Sequence, residues 1–108
     1  MSVVRIIFLG TPDFAVAPLE ALATDEHFEV VRVYTQPDKP AGRNLNLKPT
    51  PVKARALELG LDVRSVENIN APDILDEIRI LGVDSAVVVA FGQILSDEFI
   101  QIFPHPSV

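Results

Sequence analysis

Apolar and polar positions along the chain divide it into four short hydrophobic runs separated by amphipathic stretches. Residues 3–9 (VVRIIFL) carry a single charge, which is the pattern of a strand buried on both faces. Gly10-Thr11-Pro12-Asp13 breaks that run. Over residues 14–23, Phe14, Ala17 and Ala21 recur near helical spacing, with Leu19 and Leu22 on an adjoining stripe. Thr11-Pro12 suits the start of that helix, a hydroxyl acceptor followed by proline at the first helical position. After the polar Asp25-Glu26-His27, residues 28–34 (FEVVRVY) read as a second strand. A helix is predicted from about Pro51 to Leu59, stopped by Gly60. A short third strand follows at residues 62–65, then a helix that opens at Asn70-Ala71-Pro72-Asp73 and runs to Leu81, ended by Gly82. Residues 84–90 (DSAVVVA) form the clearest buried strand, and residues 96–102 predict a short helix with Ser96 as its N-cap. Strand–helix alternation at this spacing predicts an α/β fold, a doubly wound and mainly parallel sheet, with no domain boundary inside the chain.

One stretch fits none of these periods. Residues 35–55 (TQPDKPAGRNLNLKPTPVKAR) hold four of the nine prolines and show no hydrophobic periodicity. Residues 36–55 carry Lys39, Arg43, Lys48, Lys53 and Arg55 against Asp38 alone, a net of +4 in a chain of net charge −6. A long structureless loop in a compact domain is commonly functional or disordered. With a local positive field it suits a polyanion, either nucleic acid or a phosphorylated substrate. A solvated linker fits the composition equally well.

Composition narrows the setting. The 108 residues make at most one domain, and 48% hydrophobic content excludes general disorder. No apolar run approaches the ~20 residues needed to span a bilayer. The apolar segment near Met1 is too short for a signal peptide, so no membrane association and a cytoplasmic location are expected. The absence of cysteine removes disulfides, thiolate metal sites and cysteine nucleophiles. Global acidity argues against nonspecific DNA binding, so any nucleic-acid contact should be local.

Two turns are candidate sites. Gly10-Thr11-Pro12-Asp13 follows the first strand, where ligands of open parallel sheets gather. It has one glycine where a dinucleotide fingerprint needs three, which disfavours NAD; it either lines a cleft or only caps a helix. Phe91-Gly92-Gln93-Ile94-Leu95 follows the last strand. There Gly92 would let a flat ring approach the backbone, with Phe91, Ile94 and Leu95 as apolar walls, although a turn packed into the core fits as well. His27 reads as exposed and idle, His105 lacks an orienting partner, and Asp13 and Asp38 read as cap and turn residues. No catalytic constellation and no metal-ligand set is complete.

Four blocks in order, FLGTPDFA (8–15), TQPDKPAGR (35–43), PTPVK (49–53) and VVAFGQIL (88–95), resemble the methionyl-tRNA formyltransferase family across essentially the whole chain. The first and fourth are shared more loosely with other folate-dependent formyltransferases. The resemblance implies a Rossmann-like catalytic domain, here its N-terminal part over residues 1–108, with the second half of that domain and a C-terminal β-barrel domain to follow. It implies transfer of a formyl group from 10-formyltetrahydrofolate to the amino group of methionyl initiator tRNA, without a metal, by an enzyme that is monomeric when intact. It places Arg43, Lys39 and Lys48 in contact with tRNA and Phe91, Gly92, Gln93, Ile94 and Leu95 beside the folate ring. The family's catalytic Asn and His stand in an Asn-x-His-Pro-Ser-Leu-Leu-Pro motif, with an Asp further on. These groups would follow Val108, so His105 is not the catalytic histidine, and residues 1–108 alone are expected to be inactive. The competing readings are another folate-dependent N-formyltransferase, acting on a sugar amine or glycinamide nucleotide, and a non-catalytic RNA-binding module.

Overall fold

Strand β1 (Val4–Gly10) has no polar face to turn outward, and it forms the centre of the molecule. Ile6 and Phe8 lie in one apolar layer and Ile7 and Leu9 in the other, none more than 1% exposed. The computed structural model describes residues 3–41 and 46–104. In it β1 pairs in parallel with β2 (Phe28–Thr35) on one side and β6 (Ser85–Val89) on the other. β5 (Val63–Ser65) extends the sheet beyond β2, giving the order β5-β2-β1-β6. The β1–β2 register slips between Ile6 and Ile7, which pair with Val30 and Arg32 and leave Val31 as the extra residue of a bulge. For that reason Val30 and Val33, three apart, pack into the same layer.

Helices cover both faces, as a doubly wound sheet requires. α1 (Val16–Thr24) and α2 (Pro51–Glu58) bury Leu19, Val52 and Ala56 against one face, together with Ala15. α3 (Pro72–Leu81) and the single turn α4 (Asp97–Ile100) cover the other with Ile74, Leu75, Ile78 and Phe99. Gly82, in the left-handed region at φ 62°, ends α3 as its position in the sequence implies. Ser96 caps α4, its hydroxyl accepting from Phe99 N at 3.1 Å, although the helix is shorter than the 96–102 predicted. On this second face the fully buried Tyr34 donates its hydroxyl to Glu77 Oε1 at 2.8 Å, an oxygen that also accepts from Arg32 Nη1 at 2.7 Å.

Three expectations change. Phe14, Ala17 and Ala21 face solvent, and Phe14, which lies before the first helix, is 68% exposed. A 3₁₀ turn at Asp13–Ala15 precedes α1 and rotates Ala15 and Leu19 onto the core instead. Thr11 does not cap that helix; its hydroxyl is engaged elsewhere. Finally, the segment read as structureless contains an antiparallel hairpin, β3 (Lys39–Ala41) paired with β4 (Asn46–Lys48). Three-residue strands, one of them Lys-Pro-Ala, are too short to show alternation.

Candidate functional site

Among the strands of the main sheet, the order along the chain is third, second, first, fourth, so it reverses between β1 and β6. The crevice outside the carboxyl ends of such a pair is where open α/β sheets bind ligands. Both turns singled out from the sequence meet here. Thr11 Oγ1, just past β1, donates to the carbonyl of Phe91, just past β6, at 2.7 Å. Gly10 leaves no room for a side chain, since a Cβ would lie 2.8 Å from Phe8 Cε2 and 3.0 Å from the Val89 carbonyl oxygen. Ala90 takes up φ 49° and Gly92 φ 96°, so the chain turns sharply at the crevice mouth.

The 91–95 segment divides its side chains between core and solvent. Phe91 is buried in the core beneath α3 and α4, and Leu95 packs against the same cluster. Ile94, at 89% exposed, faces solvent. Gly92 takes up a positive φ that side-chain-bearing residues rarely adopt, and a Cβ there would also displace the movable end of Gln36, 2.9 Å away at Nε2. The backbone angle is a reason for glycine that stands beside the ring approach read from the sequence. Gln93 is fully engaged within the protein: Oε1 accepts from Ile69 N at 2.8 Å, and Nε2 donates to Val66 O at 2.9 Å and Gln36 Oε1 at 2.8 Å. Asn70 completes the support, donating to Ile94 O at 2.8 Å and accepting from Ser96 N at 3.0 Å. Gln36 and Asn70 carried no signal in the sequence, because an amide in a loop says nothing of a partner some twenty to sixty positions away.

The hairpin rises beside this crevice from a cross-linked root. The buried hydroxyls of Thr35 and Thr50 lie 2.6 Å apart, and Lys53 Nζ holds both carboxylate oxygens of Asp38, at 3.0 and 3.2 Å. Asp38, read as a turn residue, is thus the partner that neutralises Lys53. Arg55 is likewise occupied, binding Glu20 Oε2 through Nε at 3.1 Å and Nη2 at 2.8 Å. Two of the five bases in the basic island are therefore spent on structure, and Arg43 lies outside the described residues. Lys39 and Lys48 remain, directly opposite each other across the hairpin, both exposed and without an ion pair among the described residues. They line a cleft of about 350 Å³ whose other wall is Thr11, Pro12 and Asp13, so that turn does line a cleft. Like charges placed opposite in a sheet repel, which an anion between them would relieve.

Other candidates are marginal. His27 is exposed, with Nδ1 2.8 Å from Asp25 Oδ1, and His105 lies outside the described residues. Among the described residues no group of three His, Cys, Asp or Glu side chains could hold a metal ion, and no helix is long and apolar enough to cross a membrane.

A family model described as formyl transferase matches residues 4–108. The chain belongs to the formyl transferase family. It is 59% identical over 104 residues to the methionyl-tRNA formyltransferase of Bdellovibrio bacteriovorus, covering 95% of this chain and 33% of that protein. It is 46% identical over 110 residues to the methionyl-tRNA formyltransferase of Roseiflexus sp., covering 96% and 34%. The chain thus spans about a third of the length of these relatives. Glycinamide ribonucleotide transformylase 1 from Symbiobacterium toebii shares the fold, with a TM-score of 0.70 at 14% identity over 97% of this chain and 50% of that one. The Rossmann-like parallel sheet is therefore that of the formyl transferase family.

Proposed function

We propose that this chain is the N-terminal part of the catalytic domain of an enzyme that moves a formyl group from 10-formyltetrahydrofolate to the amino group of methionyl initiator tRNA. The observation that carries this reading is the hairpin, whose two exposed lysines, without an ion pair among the described residues, stand at a cleft shared with the turn after β1, beside the point where the sheet order reverses. A nucleic-acid backbone laid there would meet Lys39 and Lys48 as phosphate contacts, which position a ligand without reading its sequence. The names of the relatives supply the acceptor.

The 92–95 segment fits a flat heterocycle such as the pterin of the donor. Gly92 and Ile94 are both exposed, and their carbonyls are fixed by Gln36 and Asn70, with Gln93 bonded in turn to Gln36. When bound, the donor supplies an activated formyl carbon. The residues of this chain orient the two substrates, and the groups that stabilise an oxyanion and move protons belong to the Asn, His and Asp positions expected past residue 108.

The test offers the full-length protein methionyl initiator tRNA, glycinamide ribonucleotide and an amino-sugar nucleotide in turn, with 10-formyltetrahydrofolate. Formyl transfer confined to the tRNA is the expected result. Transfer to either small acceptor instead would reassign the substrate, and tRNA binding without transfer would leave an RNA-binding module.

A further inference from the structure

Gln36 and Gln93 join the two regions that the proposed function gives to different ligands. Their amide orientations are determined. The backbone N–H of Ile69 donates to Gln93 Oε1, so Gln93 Nε2 faces the other way, where it donates to Val66 O and to Gln36 Oε1. Gln36 Nε2 is then left to donate to the Gly92 carbonyl at 3.1 Å. Flipping either amide would set donor against donor or acceptor against acceptor. Gln36 itself sits at the root of the hairpin. Its predecessor Thr35 is bonded to Thr50 and its near neighbour Asp38 to Lys53, both on the α2 side. Residues 35–38 are thus tied to α2 on one side and to Gly92 and Gln93 on the other. A shift of the hairpin root must carry Gln36 with it, and through the Gln36–Gly92 hydrogen bond it pulls on the peptide of Gly92.

We propose that the Gln36–Gln93 pair is a strut through which RNA on the hairpin and folate at the 92–95 segment sense each other, so that the two bind cooperatively. This rests on the function proposed above. Gln36 and Gln93 act as positioning residues: each ligand, by holding one end of the bonded pair, favours the placement that the other end presents to the second ligand. Such coupling is reciprocal, each ligand changing the affinity of the other by the same factor.

Calorimetric titration of the full-length protein tests it with a pair of probes that cannot react, tetrahydrofolate and uncharged initiator tRNA. In the wild type, saturating tRNA is expected to tighten tetrahydrofolate binding by about fivefold or more. Gln36→Glu keeps the acceptor for Gln93 but sets a carboxylate against the Gly92 carbonyl. Gln93→Leu removes the pair from the other end. In both variants the coupling factor is expected to fall to about one. The factor is a ratio read within one variant, so a general loss of stability or donor affinity does not imitate its loss. Wild-type protein that binds both probes independently would overturn the strut alone, as would coupling that survives in both variants. Wild-type protein that binds neither probe would overturn the proposed function and the strut with it.

Discussion

At the scale of single residues, the site is shaped by what three positions lack. Gly10, Ala90 and Gly92 carry the chain around the mouth of the crevice, and any larger side chain at Gly10 meets Phe8, Val89 and Ala15 at once. Gly10→Ala is therefore expected to cost about 1–3 kcal/mol, because a backbone carbonyl and a core ring must both give way. Urea unfolding of the variant checks this, and a loss below half a kilocalorie would mean that β1 and β6 can part without strain. Thr11→Val removes a hydroxyl and leaves the Phe91 carbonyl without its partner, at a cost of about 1 kcal/mol by the same measurement. Both turns were legible in the sequence as interruptions of apolar runs. That they are bonded to each other was not, since the Thr11–Phe91 contact spans 80 positions.

At the scale of elements, the hairpin separates charges that look alike in the sequence. Lys53 and Arg55 are paired with Asp38 and Glu20, whereas Lys39 and Lys48 have no ion pair among the described residues. Lys39→Ala and Lys48→Ala should each weaken tRNA binding and lower the slope of log affinity against log salt by about one, the mark of a lost phosphate contact. Arg55→Ala should leave that slope unchanged and reduce stability instead, since it strips Glu20 of its partner across α1 and α2. An equal slope change in all three would show that the island acts as a diffuse field. Arg43→Ala is expected to impair tRNA use well before folate binding, measured as separate KM values for the two substrates. The basic island itself was plain from composition. Its division into structural and exposed cations depends on which acid each one meets, Asp38 within the island and Glu20 on α1, which no local pattern encodes.

At the scale of the whole molecule, burial of Tyr34 ties the second helical layer to the sheet and gives stability a pH dependence. Burial pushes the phenol up to about 12 from an ordinary 10.0, with the Glu77 carboxylate adding to the rise and the nearby Arg32 opposing it. The folded state holds this proton more tightly than the unfolded chain does. Its contribution is therefore complete below pH 10 and is lost as the pH rises toward 12, a decline on the order of 2–3 kcal/mol. Thermal melts of wild type and Tyr34→Phe across that range should show a steeper fall for the wild type. Tyr34 is the one tyrosine of the chain, so phenolate absorbance would report its titration directly in residues 1–108.

The alternation of strands and helices, the double burial of β1, the glycine stops after α2 and α3, and the family likeness were all readable from the sequence. These are recorded locally, because burial imposes a period of two on strands and near 3.6 on helices, and a helix stop needs only its own residues. Which apolar stripe of α1 faces inward was left open by the sequence, because a 3₁₀ turn precedes the helix, and the hairpin was missed because its strands are shorter than one readable period. Folding in three dimensions set which lysines of the described residues carry an ion pair, the positive φ of Gly92, and the meeting of Gln36 and Gln93. Those outcomes depend on hydrogen bonds and ion pairs between residues 15 to 57 positions apart, and chain topology alone brings such groups within reach.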